Sequence, residues 1–360
     1  MRRIPLLLLV LTAVVLLGAC DEPVEISGPE PVRAQIENRG DAAVTVLFVG
    51  DTMLDDLALP FINAHGYDYP LAGLAPLVRD ADVAVVNLEV AVTNERCDRQ
   101  SKKYAYHMRP EGLDALRRAG YDAVVLANNH TRDCGDGGLQ QILDLCEQAG
   151  LQHAGAGMNE NAARRGLLFD VAGTKVGLLA YYGSGTFRSR GDQAPLNLDL
   201  IKPDVRRMRT HADVVIVHFH WGKNYKSSPT AKMQQIAREV LDAGADLIVG
   251  DGAHIMQPVG MIEGKPVIYS LGNGTFGTGN NRAEFAMMAQ VVIEDKRLAR
   301  IEFIPIHTQN RNPDVLFQTR LLEGREAEKV LDDLADSSRR RGAKIKIESG
   351  GPRPIGVLEL

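Results

Sequence analysis

Aromatic side chains are scarce in this chain, with nine phenylalanines, nine tyrosines and one tryptophan among 360 residues. That scarcity argues against an extended surface for stacking sugars. Positive charge is not in excess either. The formal balance is -5, which gives no general electrostatic reason to expect nucleic acid as a partner. The run Arg339-Arg340-Arg341 with Lys344 and Lys346 is a local exception, and it reads as the solvated end of a helix and a following strand. Cysteine is rare, at four residues, and their spacing matches neither a zinc ribbon nor an iron–sulfur site. There is no internal repeat and no linker after residue 41, so residues 42–360 read as one large domain.

The chain does carry an address at its start. Met1-Arg2-Arg3 precedes the apolar run Ile4–Leu17, and Gly18-Ala19-Cys20 follows. Basic residues, an apolar stretch and a small-residue site are the parts of a secretory signal. The run falls short of the roughly twenty residues of a membrane span. Leu17-Gly18-Ala19-Cys20 resembles a bacterial lipobox, which implies a signal peptide over residues 1–19 and lipidation of Cys20. An ordinary cleaved signal or an uncleaved anchor are the plainer alternatives. Acyl chains hold a protein to a bilayer with about 0.8 kcal/mol per buried methylene. The expected location is therefore the bacterial envelope, membrane-anchored on the extracytoplasmic side. Asp21 resembles the signal for inner-membrane retention in cells with two membranes. Residues 20–41 are rich in charge, proline and glycine and read as a tether.

With Cys20 lipidated, Cys97, Cys134 and Cys146 remain, and an odd number permits at most one internal disulfide. Cys97 in a polar loop and Cys134 beside a polar motif can pair in an oxidising envelope. Cys146 lies on the apolar side of Leu139–Ala149 and reads as core.

Beyond the tether the pattern repeats strand, polar loop, helix. Short β-branched runs at Val44–Val49, Asp82–Asn87, Ala123–Ala127, Val176–Tyr181, Val214–His218, Leu247–Val249 and Val267–Tyr269 read as buried strands. Pro110–Ala119, Gly138–Ala149 and Thr230–Ala243 read as helices between them. In the last, Met233, Ile236, Ala237, Val240 and Leu241 fall on one face and Gly244 ends the run. Gln290–Ile306 reads as two antiparallel strands about Asp295-Lys296, Arg325–Ser338 as a helix and Ala343–Ile347 as an edge strand. The fold class is α/β, layered, with helices covering central sheets.

Polar residues collect at strand ends. Gly50-Asp51 follows the first strand, Asn87-Leu88-Glu89 the second, and Asn128-Asn129-His130 the third, with Asp133 three residues on. His218-Phe219-His220-Trp221-Gly222 and Gly250-Asp251-Gly252-Ala253-His254 end later strands. Loops beyond strand C-termini converge on one crevice in an α/β sheet. These would bring carboxylates, an amide oxygen and imidazoles together, a donor mixture suited to divalent metal. Singly each signal is weak: a Gly-Asp pair can cap a helix, and Glu89 can pair with an arginine. His218 lies before its strand end and reads as a support for the site.

At this point a resemblance becomes specific. Gly50-Asp51-Thr52-Met53-Leu54, Asn87-Leu88-Glu89, Leu126–His130 through Asp133 and Gly135, His220-Trp221-Gly222 and Tyr269-Ser270-Leu271-Gly272-Asn273 resemble the capsule/poly-gamma-glutamate synthesis protein CapA family. That family resembles the calcineurin-like metallophosphoesterases in fold. The resemblance implies Asp51, Glu89, Asn129, His220 and His254 as metal ligands, with Asp251 a compensating one. It implies His130 as general acid or charge stabiliser, with Asp133 orienting it. Asn87, Asn128, Trp221 and Asn273 would line the substrate site. The cofactor would be one or two divalent ions, manganese, iron or zinc.

The departures are Gly252, where the family has the first histidine of a His-x-His pair, Asn224 for an acidic residue, Asp55-Asp56 after Met53-Leu54, and Gly274 for an aromatic. Two readings stay open. One is a metal-dependent hydrolase of a phosphoester or related anionic envelope substrate. The other is a catalytically degenerate protein that binds anionic polymer or capsule-export partners. Lys223, Lys226 and Arg132 are available as a basic rim in either case.

Overall fold

The computed structural model describes residues 28–36, 43–94, 97, 102–183, 193–351 and 353–360. The signal peptide, Cys20 and Asp21 lie outside the described residues. Among these residues, no helix is long and apolar enough to cross a membrane.

The described strands build two large mixed sheets. One holds seven strands in the spatial order Val32–Ile36, Leu167–Val171, Thr174–Gly183, Val214–Trp221, Leu247–Asp251, Lys265–Ile268 and Val259–Ile262. The other, of ten strands, runs from Lys346–Glu348 through Ile355–Glu359, Arg297–His307, Phe285–Glu294, Val44–Met53, Val83–Leu88 and Ala123–Val125 to Gln152–Ala154. Asn273–Phe276 adds to Val44–Met53, and Arg320–Leu321 to Arg297–His307.

Period-two alternation sorts the side chains into layers. On the first long strand Val44, Val46 and Phe48 face a core shared by both sheets, while Leu47 and Val49 face a second core under helices. On Val214–Trp221, Val214 and Ile216 join the shared core, and Val215, Val217, Phe219 and Trp221 join a third. The helices Glu111–Ala119 and Gly135–Gln148 cover the ten-stranded sheet. Leu198–Arg209 and Ala231–Asp242 cover the seven-stranded one. The layers are helix, sheet, sheet, helix. Each fully buried Val, Leu or Phe in them contributes about 1.5–3 kcal/mol. The helix Gly324–Arg339 inserts Ala327, Val330, Leu331 and Leu334 into the shared core.

The helix expected over Thr230–Ala243 forms as Ala231–Asp242, buries the five apolar residues named from its pattern, and is capped by Thr230 Oγ1, which accepts from the Met233 N–H at 3.2 Å. Two boundaries differ from expectation. Val32–Ile36 is not tether but a strand parallel to Leu167–Val171. Its Val-Arg-Ala-Gln-Ile alternation turns Ala34 and Ile36 toward the shared core, a period hidden inside a polar stretch. The expected edge strand after the last helix starts later, at Lys346, and pairs with Ile355–Glu359. Cys97 and Cys134 are joined in a disulfide with Cα atoms 5.1 Å apart. Cys146 is a buried free thiol whose pKa burial pushes up to about 12.

Candidate metal centre

The two sheets bring the C-terminal ends of their parallel strands to one end of the sandwich. Asp51 reaches it through a bulge. Val49 pairs with Val86 and Asp51 with Asn87, so Gly50 is an extra residue that turns the next side chain inward. Only glycine fits there, because a Cβ on Gly50 would lie 2.0 Å from the Gly272 carbonyl oxygen. The same alternation that puts Val85 in the shared core puts Asn87 beside Asp51, and that of Ile216 puts His218 and His220 on the inner face.

Asp51 is fully buried. Its Oδ1 accepts from Asn87 Nδ2 at 2.7 Å, and its Oδ2 accepts from the Gly252 N–H at 3.1 Å and lies 3.0 Å from His254 Nδ1. Burial works to raise its pKa, but the hydrogen bonds and charges of His220 and His254 outweigh that and hold it well below the usual range.

Glu89 is equally buried, yet neither carboxylate oxygen has a hydrogen-bond partner. Oε1 lies 3.6 Å from His220 Nε2 and 3.8 Å from His130 Nε2, and Oε2 lies 3.8 Å from His254 Nδ1. Burial, then the charge of Asp51, raises its pKa. An orphaned carboxylate ringed by imidazoles just beyond hydrogen-bond reach fits a cation between them. Ligand atoms of Asp51, Glu89 and His220 lie within 4.8 Å of one another, a group with the donors a divalent ion takes.

The surrounding residues set this group. His220 Nδ1 lies 3.0 Å from Asn87 Nδ2 and 3.5 Å from Asp51 Oδ1, and its Nε2 lies 2.7 Å from Asn129 Oδ1. The Nδ1–H of His254 faces two acceptors, Asp51 Oδ2 and Asn273 Oδ1, the latter at 3.1 Å. Burial lowers the His254 pKa, but Glu89 and Asp51 more than compensate and raise it to about 9. His130 Nδ1 sits 2.5 Å from Asp133 Oδ2, and its ring lies 4.5 Å from that of Tyr106. Asp133 also accepts from Lys102 Nζ at 2.7 Å and from the Tyr106 N–H at 2.8 Å.

Not every residue expected at the site reaches it. Asp251 is outside the ligand group. Its Oδ2 meets His218 Nε2 at 2.7 Å, and Oδ1 is buried without a partner. Burial, then the charges of Asp51 and Glu89, push the Asp251 carboxyl well up, while burial and His220 push His218 down to about 3. Trp221 does not line the cleft. Odd-numbered residues of its strand face outward, so it stacks on Phe219 at 4.6 Å and donates Nε1–H to the Tyr269 carbonyl at 2.9 Å. Asn128 is consumed by its own turn, accepting from His130 N at 3.0 Å and Thr131 N at 3.1 Å and donating to Leu88 O at 2.8 Å. Asn87 and Asn273 are buried against Asp51 and His254.

Lys102 and Tyr106 are site residues that the sequence reading missed. The signal was a Lys-Lys-Tyr-Ala-Tyr segment just after Cys97, which the disulfide brings to Cys134 and thus to Asp133.

Fold and site together define an α/β sandwich protein with a buried carboxylate–imidazole centre suited to a divalent cation. Residues 45–278 match the bacterial capsule synthesis protein PGA_cap family, and the chain belongs to that family. It is 27% identical over 292 residues to a capsule biosynthesis protein CapA of Bacillus anthracis, covering 78% of this chain and 71% of that one. It is 27% identical over 286 residues to a PGA biosynthesis protein CapA of Bacillus subtilis (78% and 75% covered). A probable polyglutamine synthesis accessory protein of Mycobacterium tuberculosis is 27% identical over 303 residues (78% and 77% covered). A solved structure of a hypothetical protein from Thermus thermophilus superposes with a TM-score of 0.47 at 17% identity, over 72% of this chain and 97% of that one.

Proposed function

We propose that this chain is an envelope lipoprotein of capsule or poly-gamma-glutamate assembly that carries a metal-dependent hydrolase centre of the calcineurin-like metallophosphoesterase kind. The observation that carries the reading is Glu89, a buried carboxylate with no hydrogen bond, set among Asp51, His130, His220 and His254. Asp51, Glu89 and His220 would hold the ion, with Asn129 and His254 beside them. A divalent ion there lowers the pKa of bound water and offsets charge on an anionic substrate. The protein supplies the rest. Asp133 holds His130 by Nδ1, so Nε2 faces Glu89 and the cleft, placed to pass a proton to a leaving oxygen. Lys102 fixes Asp133 and the Asn129 carbonyl together. Cys20, once lipidated, would tether the domain to the extracytoplasmic face of the membrane.

One observation favours the catalytically degenerate reading. Where the family's extra histidine would stand, Gly252 donates its backbone N–H to Asp51 Oδ2. A Cβ there would lie 2.8 Å from the Trp221 carbonyl and 3.1 Å from His220 Nε2. Gly252 has no side-chain donor and its place is too crowded for one, so the expected second-metal ligand is missing, which supports one tight ion rather than two.

Elemental analysis after incubation with manganese, zinc and iron, followed by desalting, tests the centre. About one retained ion per chain, lost in Glu89→Gln, is the expected result. A chain that retains none of the three sinks the hydrolase reading. Retained metal without turnover of phosphoester probes moves the conclusion to binding or assembly.

A further inference from the structure

Two residues at the centre hold backbone conformations that side chains disfavour, and they touch. His254 and Tyr225 both sit at φ +59°, in the left-handed region that aromatic residues rarely enter. Their rings lie 5.9 Å apart. The Tyr225 N–H donates to the Ala253 carbonyl at 2.8 Å, which fastens the loop after Trp221 to the loop that delivers His254. Strain of this kind persists only where the surroundings impose it, and it collects at ligand-binding sites.

A third loop completes the arrangement. Asn310 Nδ2 donates to the Thr278 carbonyl at 2.6 Å, and Thr308 Oγ1 donates to the Ala283 carbonyl at 2.9 Å. These bonds pin both ends of the stretch between the strands Asn273–Phe276 and Phe285–Glu294. Within it Asn280 hydrogen-bonds the Tyr225 hydroxyl, and its Oδ1 accepts the Arg282 N–H at 2.9 Å. The Arg282 guanidinium is thereby set over the Tyr225 ring, 5.6 Å from its centre. Arg282 is exposed, and among the described residues no carboxylate pairs with it. It also lies beyond residues 45–278, the part of the chain that matches the family.

The place of this cation decides what it meets. Glu89 Oε1 is the oxygen near His130, and Oε2 is the one near His254. Tyr106 packs on His130, and Phe276 joins Tyr106 to His254. His130 therefore stands at one end of this row of rings, with Tyr225 and Arg282 at the other. In the proposed reaction the leaving oxygen departs on the His130 side, so Arg282 faces phosphoryl oxygens that stay behind. A monoester carries most of a second negative charge there at pH 7. A diester has an uncharged ester arm in its place.

We propose that Arg282, seated on Tyr225, selects a phosphomonoester dianion over a diester at this centre. The guanidinium takes the second charge through charge-assisted hydrogen bonds. This names a substrate class for the proposed function and rests on that reading.

The test is calorimetric titration of phenylphosphonate and its monomethyl ester into the manganese-loaded full chain, with retained metal counted in the same samples. The C–P bond of phenylphosphonate resists hydrolysis, so binding is read without turnover. The parent is expected to favour the dianion by about tenfold or more. Arg282→Gln should lose most of that preference at unchanged metal content, and Arg282→Lys should restore part of it. Tyr225→Gly relieves the left-handed strain and should lose the preference too, because the seat is gone. A preference unchanged in Arg282→Gln, or absent from the parent, overturns the proposal and leaves the metal centre standing. A preference intact in Tyr225→Gly overturns the seat. A chain without metal is recognised from the metal count and sinks the hydrolase reading, whereas the dependence of dianion binding on Arg282 is scored separately in that same chain.

Discussion

The Nε2 of His218 and the Oδ2 of Asp251 lie 2.7 Å apart, buried on adjacent parallel strands behind the Asp51–Glu89–His220 group. Burial and the charges of Asp51 and Glu89 push Asp251 up, and burial and His220 push His218 down to about 3, both of which favour the proton on the acid. The protonated acid then donates to the imidazole, a bond that an amide can reproduce. Asp251→Asn should therefore cost less than about 1 kcal/mol in urea unfolding and keep its metal. His218→Ala, which strands the acid and leaves a void, should cost about 2–4 kcal/mol. Loss of metal in Asp251→Asn, with stability unchanged, would instead make Asp251 a ligand.

Asp133 gathers three donors, His130 Nδ1, Lys102 Nζ and the Tyr106 N–H. Burial pushes its carboxyl upward, yet these bonds and charges hold it below its ordinary value of 3.8. A carboxyl depressed in the folded state contributes stability that is fully present above its unfolded pKa and is lost as pH falls through the folded one. Stability should thus drop below about pH 3.9 more steeply in the parent than in Asp133→Asn. At pH 7 the variant should be less stable by about 1–2 kcal/mol. Urea titrations at neutral pH and in steps below pH 4 check both, and parallel pH profiles would remove Asp133 from the acid response.

Much of this site is legible because its chemistry sits at strand ends. Asp51, Glu89, Asn129, His130, His220 and His254 all lie at the ends of apolar runs, and the fold brings them to one end of the sandwich. Trp221 and Asp251 show where reading by loop fails. Strand parity decides which face a residue takes. His220 and Trp221 are neighbours in sequence, but one faces the shared core and the other the helices. Asp51 is the converse case, since the Gly50 bulge changes parity in a way no local pattern reveals. Val32–Ile36 was hidden for a different reason. Its alternation is short and polar, and its partner strand lies more than a hundred residues away in sequence.

Gly252 carries the sharpest consequence for mechanism. At φ +96° it holds a conformation that side-chain-bearing residues rarely adopt, and a Cβ meets the Trp221 carbonyl at 2.8 Å. Its N–H is also the donor to Asp51 Oδ2. Placing at this position the histidine that the resemblance implies is therefore not a simple addition of a ligand. Gly252→Ala should cost about 1–3 kcal/mol through strain and contact alone. Gly252→His should lose at least as much and bind no further ion, because its ring must leave past His220. Side-by-side unfolding curves and metal counts for the two variants decide the matter. If Gly252→His binds one more ion per chain at undiminished stability, the loop has room to move. The glycine is then a lost ligand in an otherwise competent dinuclear site, and the degenerate reading loses its main support.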